Sequence, residues 1–291
     1  MNKRPEITRF APSPTGFLHL GHAFAALFAW QAAKESNGRF LLRLEDIDPT
    51  RCRVEFEQAI YEDLAWLGSD LPGWGWEKPV RRQSEHMAEY RKALDGLESD
   101  GLIYPCFCTR AQILAEVAKA GMAPHGVEGP SYPGTCRTLS AEARNQRIAA
   151  GEPFALRLNL ARALAKTGSL TWHDRKQGTI AARPEIFGDI VLARKETPAS
   201  YHLAVTLDDH VQGVTLVTRG EDLFEATHIQ RLLQALLGLN TPDYAHHPLI
   251  CDEQGRRFAK RDKAATLRAL RFAGVSPKDV RAKALHARHE A

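Results

Sequence analysis

No run of apolar residues in this chain reaches the roughly 18 that a membrane-crossing helix needs, so no span is predicted. The basic start Met1-Asn2-Lys3-Arg4-Pro5 has no apolar core behind it and does not read as a signal peptide. Cysteine is scarce and odd in number, five in 291 residues, which argues against a disulfide framework and for reduced thiols in a cytoplasm. Repeats and low-complexity tracts are absent. What is present is ordinary for a globular protein, 44% hydrophobic and 25% charged, and long enough to bury two or three packed units. Charge is unevenly spread. From Arg256 to Ala291 eleven Lys and Arg stand against three acids, so that tail carries +8 and residues 1–255 carry −4. A basic end on a slightly acidic body suggests a polyanion partner, with a solvated helix face as the plainer alternative.

The strongest local signal is Arg9-Phe10-Ala11-Pro12-Ser13-Pro14-Thr15-Gly16-Phe17-Leu18-His19-Leu20-Gly21-His22. An apolar strand-like lead, Ile7 to Ala11, enters a Pro/Gly turn, and a long apolar run from Ala23 to Ala33 follows. Strand, tight turn and helix open a nucleotide-binding α/β unit. His19 and His22 share one face of the predicted helix start, where backbone N–H groups and the helix dipole favour an anion. An ordinary β-turn-α connection is the competing reading. Residues 39–45 alternate as a second strand. Asp48-Pro49 then predicts a helix start with Asp48 as cap, running to Gly68. The fold expected is α/β, a doubly wound sheet.

Further along, residues 69–81 are expected to form an aromatic-rich loop, and a helix covers 84–99. Residues 104–140 hold three of the five cysteines among prolines and glycines and read as an inserted module rather than more sheet. Ser140 caps a short helix ending before Gly151. Apolar segments at 154–158, 186–193 and 214–218 follow, Ser200 to Ala204 starts a helix or strand, and Thr227 to Leu237 is an amphipathic helix stopped by Gly238. Residues 246–263 are expected as a loop, and 264–289 as two short basic helices, the second entered at Ser276-Pro277.

Three more constellations could carry chemistry. Gly255 to Asp262 holds a turn followed by Arg256, Arg257, Lys260 and Arg261, a basic loop able to close over a triphosphate. Glu45, Asp46 and Asp48 end a strand at the sheet edge where ligands bind. With Asp48 read as a cap, Glu45 is the candidate for an ammonium. Cys106, Cys108 and Cys136 offer three thiolates for a tetrahedral zinc ion, with His125, Glu128 or Tyr132 as the fourth donor on spacing.

These motifs together resemble the class I glutamyl-tRNA synthetases. Arg9 to Gly16 with His19-Leu20-Gly21-His22 is similar to their first signature, and Arg257-Phe258-Ala259-Lys260-Arg261 to their Lys-(Met/Leu)-Ser-Lys-(Ser/Arg) loop. Leu44 to Asp48 with Arg51, and Gly213 to Leu223, also look like that family. The resemblance implies a Rossmann-type catalytic domain split as 1–100 and 201–245 by an inserted acceptor-type module at 101–200, with a signature loop and basic helical tail at 246–291. It implies that His19, Gly21, His22 and Lys260 bind ATP, with His19, His22 and Lys260 catalytic, and that Arg9, Ala11, Ser13, Glu45, Tyr201 and Arg219 line a glutamate pocket. It selects Tyr132 as the fourth ligand of one structural zinc ion beside Cys106, Cys108 and Cys136, and it brings Mg²⁺ with ATP. Two departures stand out: Arg257 and Ala259 replace Lys and Ser, and only 31 residues follow Lys260, too few for an anticodon-binding domain. That pattern looks like a bacterial branch of the family that places activated glutamate on the queuosine base of the tRNA(Asp) anticodon. The expected partners are therefore ATP, L-glutamate and queuosine-bearing tRNA(Asp), with no membrane, and a cytoplasmic monomer. Rival expectations are a shortened synthetase charging the tRNA 3′ end, another nucleotidyltransferase, and a non-catalytic RNA-binding relic.

Overall fold

A computed structural model of the chain describes residues 4–119, 125–126, 129–130, 132–195, 197–250 and 266–286. Strand β1 (Ile7–Phe10) runs through the Pro/Gly turn into α1 (Leu20–Glu35), and β2 (Arg39–Leu44), α2 (Val54–Leu67), β3 (Glu77–Arg82) and α3 (Met87–Ser99) follow. Next come β4 (Ile103–Cys106), α4 (Arg110–Lys119), the two-residue strands β5 (His125–Gly126) and β6 (Gly129–Pro130), α5 (Ala141–Ala149), β7 (Ala155–Leu158) and α6 (Leu160–Thr167). The hairpin β8 (Thr171–Asp174) and β9 (Gly178–Ala181) precedes β10 (Val191–Arg194), α7 (Tyr201–Val211), β11 (Leu216–Gly220), α8 (Ala226–Leu237) and β12 (Asp243–His247). Helices α9 (Leu267–Phe272) and α10 (Pro277–His286) end the described chain.

Strands β1, β2 and β3 pair in parallel, and so do β11, β12 and β8, with β9 antiparallel at the edge. The two groups meet where the Thr215 N–H donates to the Ile7 carbonyl (3.0 Å) and the Ile7 N–H donates to the Thr215 hydroxyl oxygen (2.9 Å). The order across the centre is β3-β2-β1-β11-β12, a doubly wound sheet whose switch point lies between β1 and β11. A separate antiparallel sheet, β10-β7-β4, shares its core with α3, α7 and α8.

Strand periodicity decides what faces the site. Phe10, Leu42 and Leu44 turn to a core with Phe24 and Leu27 of α1. The alternate residues Arg9 and Arg43 are thereby aimed at α7 on the opposite face. Helix α1 is apolar on most sides because strands cover one flank and α10 the other.

Several expectations need correction. Asp48 does not cap a helix: its Oδ1 accepts from the Thr50 N–H (3.0 Å) and its Oδ2 from Arg51 Nε (2.6 Å), closing an Asx turn, and the helix starts only at Val54. The same side chain that can cap can also fold back on a local turn. Residues 77–82 are a strand, not loop. As an edge strand β3 accepts Pro79 and its charges, which hide the apolar alternation. Residues 104–106, grouped with the inserted module, complete β4 of the antiparallel sheet. The loop expected from 246 begins inside β12, and its stretch 251–265 lies outside the described residues. The cap Ser140, the stop at Gly238 and the helix entered at Pro277 stand where the sequence placed them, and the segment from Ser200, left open between helix and strand, is a helix that Ser200 caps. Among the described residues no helix is long and apolar enough to cross a membrane.

Asp63 of α2 is fully buried, with Arg271 Nη2 at 3.2 Å from its carboxylate and 2.8 Å from that of Glu62. Burial pushes its carboxyl up to about 6 despite Arg271. A folded value above the unfolded one means that the ionised group opposes folding, fully above about 6 and not below the unfolded value. Asp63→Asn is expected to stabilise the protein by about 1–3 kcal/mol at about pH 7 and to change little near pH 4, read from urea midpoints at both pH values.

Candidate active site

Helix α1 is capped by its own histidines. The Gly21 N–H donates to His19 Nδ1 (3.1 Å) and the His19 N–H donates to His22 Nδ1 (3.2 Å), with the rings 3.9 Å apart. Because each Nδ1 accepts, the proton of each neutral ring sits on Nε2, giving two donors at a helix N-terminus suited to phosphate. A Cβ at Gly21 would lie 3.0 Å from His19 Cε1, so only glycine leaves the ring in place. Ala11 and the exposed Ser13 lie in the turn, which is tied to the end of β2 by the Glu45 N–H donating to the Pro12 carbonyl (3.1 Å). Arg257, Ala259 and Lys260 lie outside the described residues. Their flanks are fixed beside the histidines: Ile250 packs into the α1 core, Thr266 bridges His19, and the Leu267 N–H donates to the Leu18 carbonyl (2.7 Å).

On the other side of the switch point, Arg9 Nε and Nη2 donate to Asp209 of α7 (2.9 and 3.4 Å) and Nη1 donates to the Thr218 carbonyl (3.0 Å). Arg43, with no exposed surface, donates from Nη1 to the same Asp209 oxygen (2.7 Å) and from Nη2 to Glu45 Oε1 (3.3 Å). Asp208, next on α7, accepts from Tyr90 Oη (2.9 Å), Gln83 Nε2 (2.8 Å) and Arg81 Nε (2.8 Å). Burial alone would raise the Asp209 carboxyl, but Arg9 and Arg43 outweigh it and hold it below the usual range. For Glu45 burial wins, and its carboxyl is raised in spite of Arg43 and Arg9. Arg219 on β11 donates from Nε to His246 (3.2 Å), from Nη1 to Gln230 (2.8 Å) and from Nη2 to Thr227 (2.6 Å). Tyr201, at the start of α7, is raised by burial and feels the charges of Arg219, Glu45, Arg9 and Asp209. Arg9, Glu45 and Arg219 therefore all lie within electrostatic reach of Tyr201.

In the second sheet region, Cys106 ends β4 and Cys136 lies in a 3₁₀ turn, with Cys108 close to both. The three sulfurs lie within 4.8 Å of one another, Cys108 and Cys136 being 3.5 Å apart, and the Tyr132 Oη is 3.6 Å from Cys108 Sγ. Sulfurs about 2.3 Å from a tetrahedral ion are about 3.8 Å apart, so the cluster fits a bound metal ion. Burial pushes the Cys108 thiol up to about 12, a cost that a cation would relieve. Of the other candidate donors, only the backbone of His125 is described, and Glu128 lies outside the described residues.

Residues 7–281 match the family described as tRNA synthetases class I (E and Q), catalytic domain. The chain belongs to that family. As a class I synthetase domain it is 49% identical over 280 residues to a glutamyl-Q tRNA(Asp) synthetase of Rhodobacter capsulatus, covering 94% of this chain and 98% of that protein. To a glutamate–tRNA ligase of Aquifex aeolicus it is 38% identical, with 93% of this chain and 54% of the ligase covered. The crystal structure of a glutamate tRNA ligase from Elizabethkingia meningosepticum, in complex with its amino acid, superposes with a TM-score of 0.73 at 29% identity. This chain spans about half of that ligase, covering 52% of it and 89% of itself.

The sequence reading missed the partners that hold the synthetase site together: Arg43, Asp208, Asp209, His246 and Asp174. Two adjacent acids following Leu203, Ala204, Val205 and Leu207 in one helix were the available signal for Asp208 and Asp209, since such residues are buried only when paired. Asp209→Ala would leave the buried Arg9 without a carboxylate and Arg43 with only the weaker pairs to Glu45 and Asp208, and a loss of about 3–5 kcal/mol in denaturation free energy is expected.

Proposed function

We propose that this chain activates L-glutamate with ATP as glutamyl-adenylate and transfers it to the queuosine base in the anticodon of tRNA(Asp). The observation that carries the amino-acid part is a complementary set of groups: glutamate brings two carboxylates and one ammonium, and Arg9, Arg219 and Glu45, which all act on Tyr201, offer two guanidiniums and one carboxylate. Arg9 and Arg219 each give three of five N–H donors to the protein and keep two for a ligand carboxylate, while Glu45 is the acceptor for the ammonium. Tyr201 supplies a wall beside them, and Ala11 and Ser13 line the turn.

ATP, with its Mg²⁺, takes the helix N-terminus, its phosphates meeting His19 and His22 where Gly21 keeps the backbone close. The glutamate α-carboxylate attacks the α-phosphorus in line and pyrophosphate leaves. The nucleophile is already ionised, so the protein's part is positioning and charge stabilisation, with Lys260 neutralising the growing charge. A queuosine hydroxyl then attacks the mixed anhydride, releasing AMP. The acceptor assignment rests on likeness to relatives named for it that this chain covers almost completely. A single zinc ion, held by Cys106, Cys108, Cys136 and Tyr132, would be structural, clamping the end of β4 to the 3₁₀ turn within an acceptor-type module at 101–200. A cytoplasmic monomer fits this reading.

The deciding experiment incubates the protein with ATP and labelled glutamate and maps the label on tRNA(Asp) fragments prepared with and without queuosine. Label on the anticodon fragment that requires queuosine is expected. Label on the 3′-terminal fragment would support a shortened glutamate–tRNA ligase instead, and no pyrophosphate exchange in any arm would leave an RNA-binding role. A second measurement follows from Glu45. A raised carboxyl takes up its proton at a higher pH than an ordinary one, so the KM for glutamate should climb as pH falls from neutrality. Glu45→Gln should raise that KM by about tenfold or more and flatten its pH dependence.

A further inference from the structure

Arg219 does not hold its own orientation. Its Nε donates to His246 Nε2 at 3.2 Å, and His246 Nδ1 lies 2.8 Å from Asp174 Oδ2. A guanidinium nitrogen can only donate, so His246 Nε2 must accept and the ring proton must sit on Nδ1, facing Asp174. Asp174 is itself fixed and fully buried: Oδ1 accepts from the Lys176 and Gln177 N–H groups (2.9 and 3.0 Å) and Oδ2 from the His246 N–H (3.2 Å). The imidazole is clamped between aromatic rings, Tyr244 stacked with an interplanar angle of 5° and Phe224 at 5.0 Å. Burial and Arg219 keep it neutral, its value lowered to about 4.

We infer that Asp174 and His246 are positioning residues for glutamate recognition: Asp174 selects the His246 tautomer that can accept from Arg219 Nε, and this turns the remaining donors of Arg219 to the substrate carboxylate. The hairpin of β8 and β9 has a role in this. By pairing beside β12 it carries Asp174 from a point 72 residues away in sequence to the ring of His246. Were Asp174 an amide, its NH₂ could donate to Nδ1, the ring proton would move to Nε2, and two donors would face each other at Arg219. Arg219 would then turn away while the ATP half of the site, built on α1, stays as it is.

The inference rests on the reading of Arg219 as a glutamate contact, and the experiment separates the two. Glutamate-dependent ATP–pyrophosphate exchange is measured for His246→Gln, His246→Asn, Asp174→Asn and Arg219→Lys, with the KM for glutamate and for ATP determined separately. The Gln side chain can place an oxygen near the lost Nε2, whereas Asn reaches only the Nδ1 position. The expected result is a glutamate KM raised about tenfold or more in His246→Asn and Asp174→Asn, near wild type in His246→Gln, with the ATP KM unchanged in all three. Equal effects of Gln and Asn at 246, or parallel shifts in both KM values, would overturn the positioning role even if Asp174→Asn fails to fold. A normal glutamate KM in Arg219→Lys would instead overturn the assignment of Arg219 itself.

Discussion

One carboxylate governs the architecture of the site. Asp209 lies between Arg9 on β1 and Arg43 on β2, two cations that the strand period forces onto the same buried face. Without an anion there, the adjacent strands could not bring these guanidiniums out of water together, since burying an unpaired charge costs far more than any packing gain nearby. Helix α7 therefore has to cover this face, and in the register that presents Asp209. Its neighbour Asp208 fixes that register from the other side through Tyr90, Gln83 and Arg81. Such a cluster adds little net stability compared with an apolar core of the same volume. Its yield is geometry: Arg9 presents its unused donors in one direction only.

The proposed site has two differently built halves. The histidine part of its nucleotide half is local, a helix start whose histidines cap it and acquire their tautomers from the same hydrogen bonds. The amino-acid half is assembled from β1, β2, α7, β11 and β12, and every cation in it is held by partners from another element. Different origins explain different legibility. The first half could be read from Pro12 to His22, because turn chemistry and helix capping are short-range. Glu45 could be singled out as a candidate because an acid at a strand's carboxyl end has few structural duties, and the cluster of Cys106, Cys108 and Cys136 was legible because their spacing is chemical. Arg9 and Arg219 gained meaning only through family likeness, since a strand residue does not announce which face of the sheet will be covered.

The rest was hidden for identifiable reasons. Asp48 obeys two rules at once, cap and Asx turn, and Thr50 and Arg51 decide for the turn. Strand β3 carries Glu, Lys, Pro and two Arg because an edge needs them, which removes the pattern by which strands are found. Strands β8 and β12 are four and five residues long and make sense only beside each other. Asp174 and His246, both buried, offer no periodic signal at all. Polar residues that complete a site through other polar residues are visible only after the fold is known.

The distances along the chain between these partners also bear on how the molecule forms. Arg9 and Asp209 are 200 residues apart, and Arg43 and Asp209 are 166 apart. Closing such loops is among the slowest events in folding, because the chain loses its freedom before the contact returns anything. The histidine cap of the proposed nucleotide half needs contacts within one turn and helix alone, although the Thr266 bridge joins it from far along the chain. The amino-acid half cannot exist until the last long loops have closed. During synthesis, then, the contacts within the turn can form before the chain that carries Asp209 has been made, and only the completed fold joins the two halves.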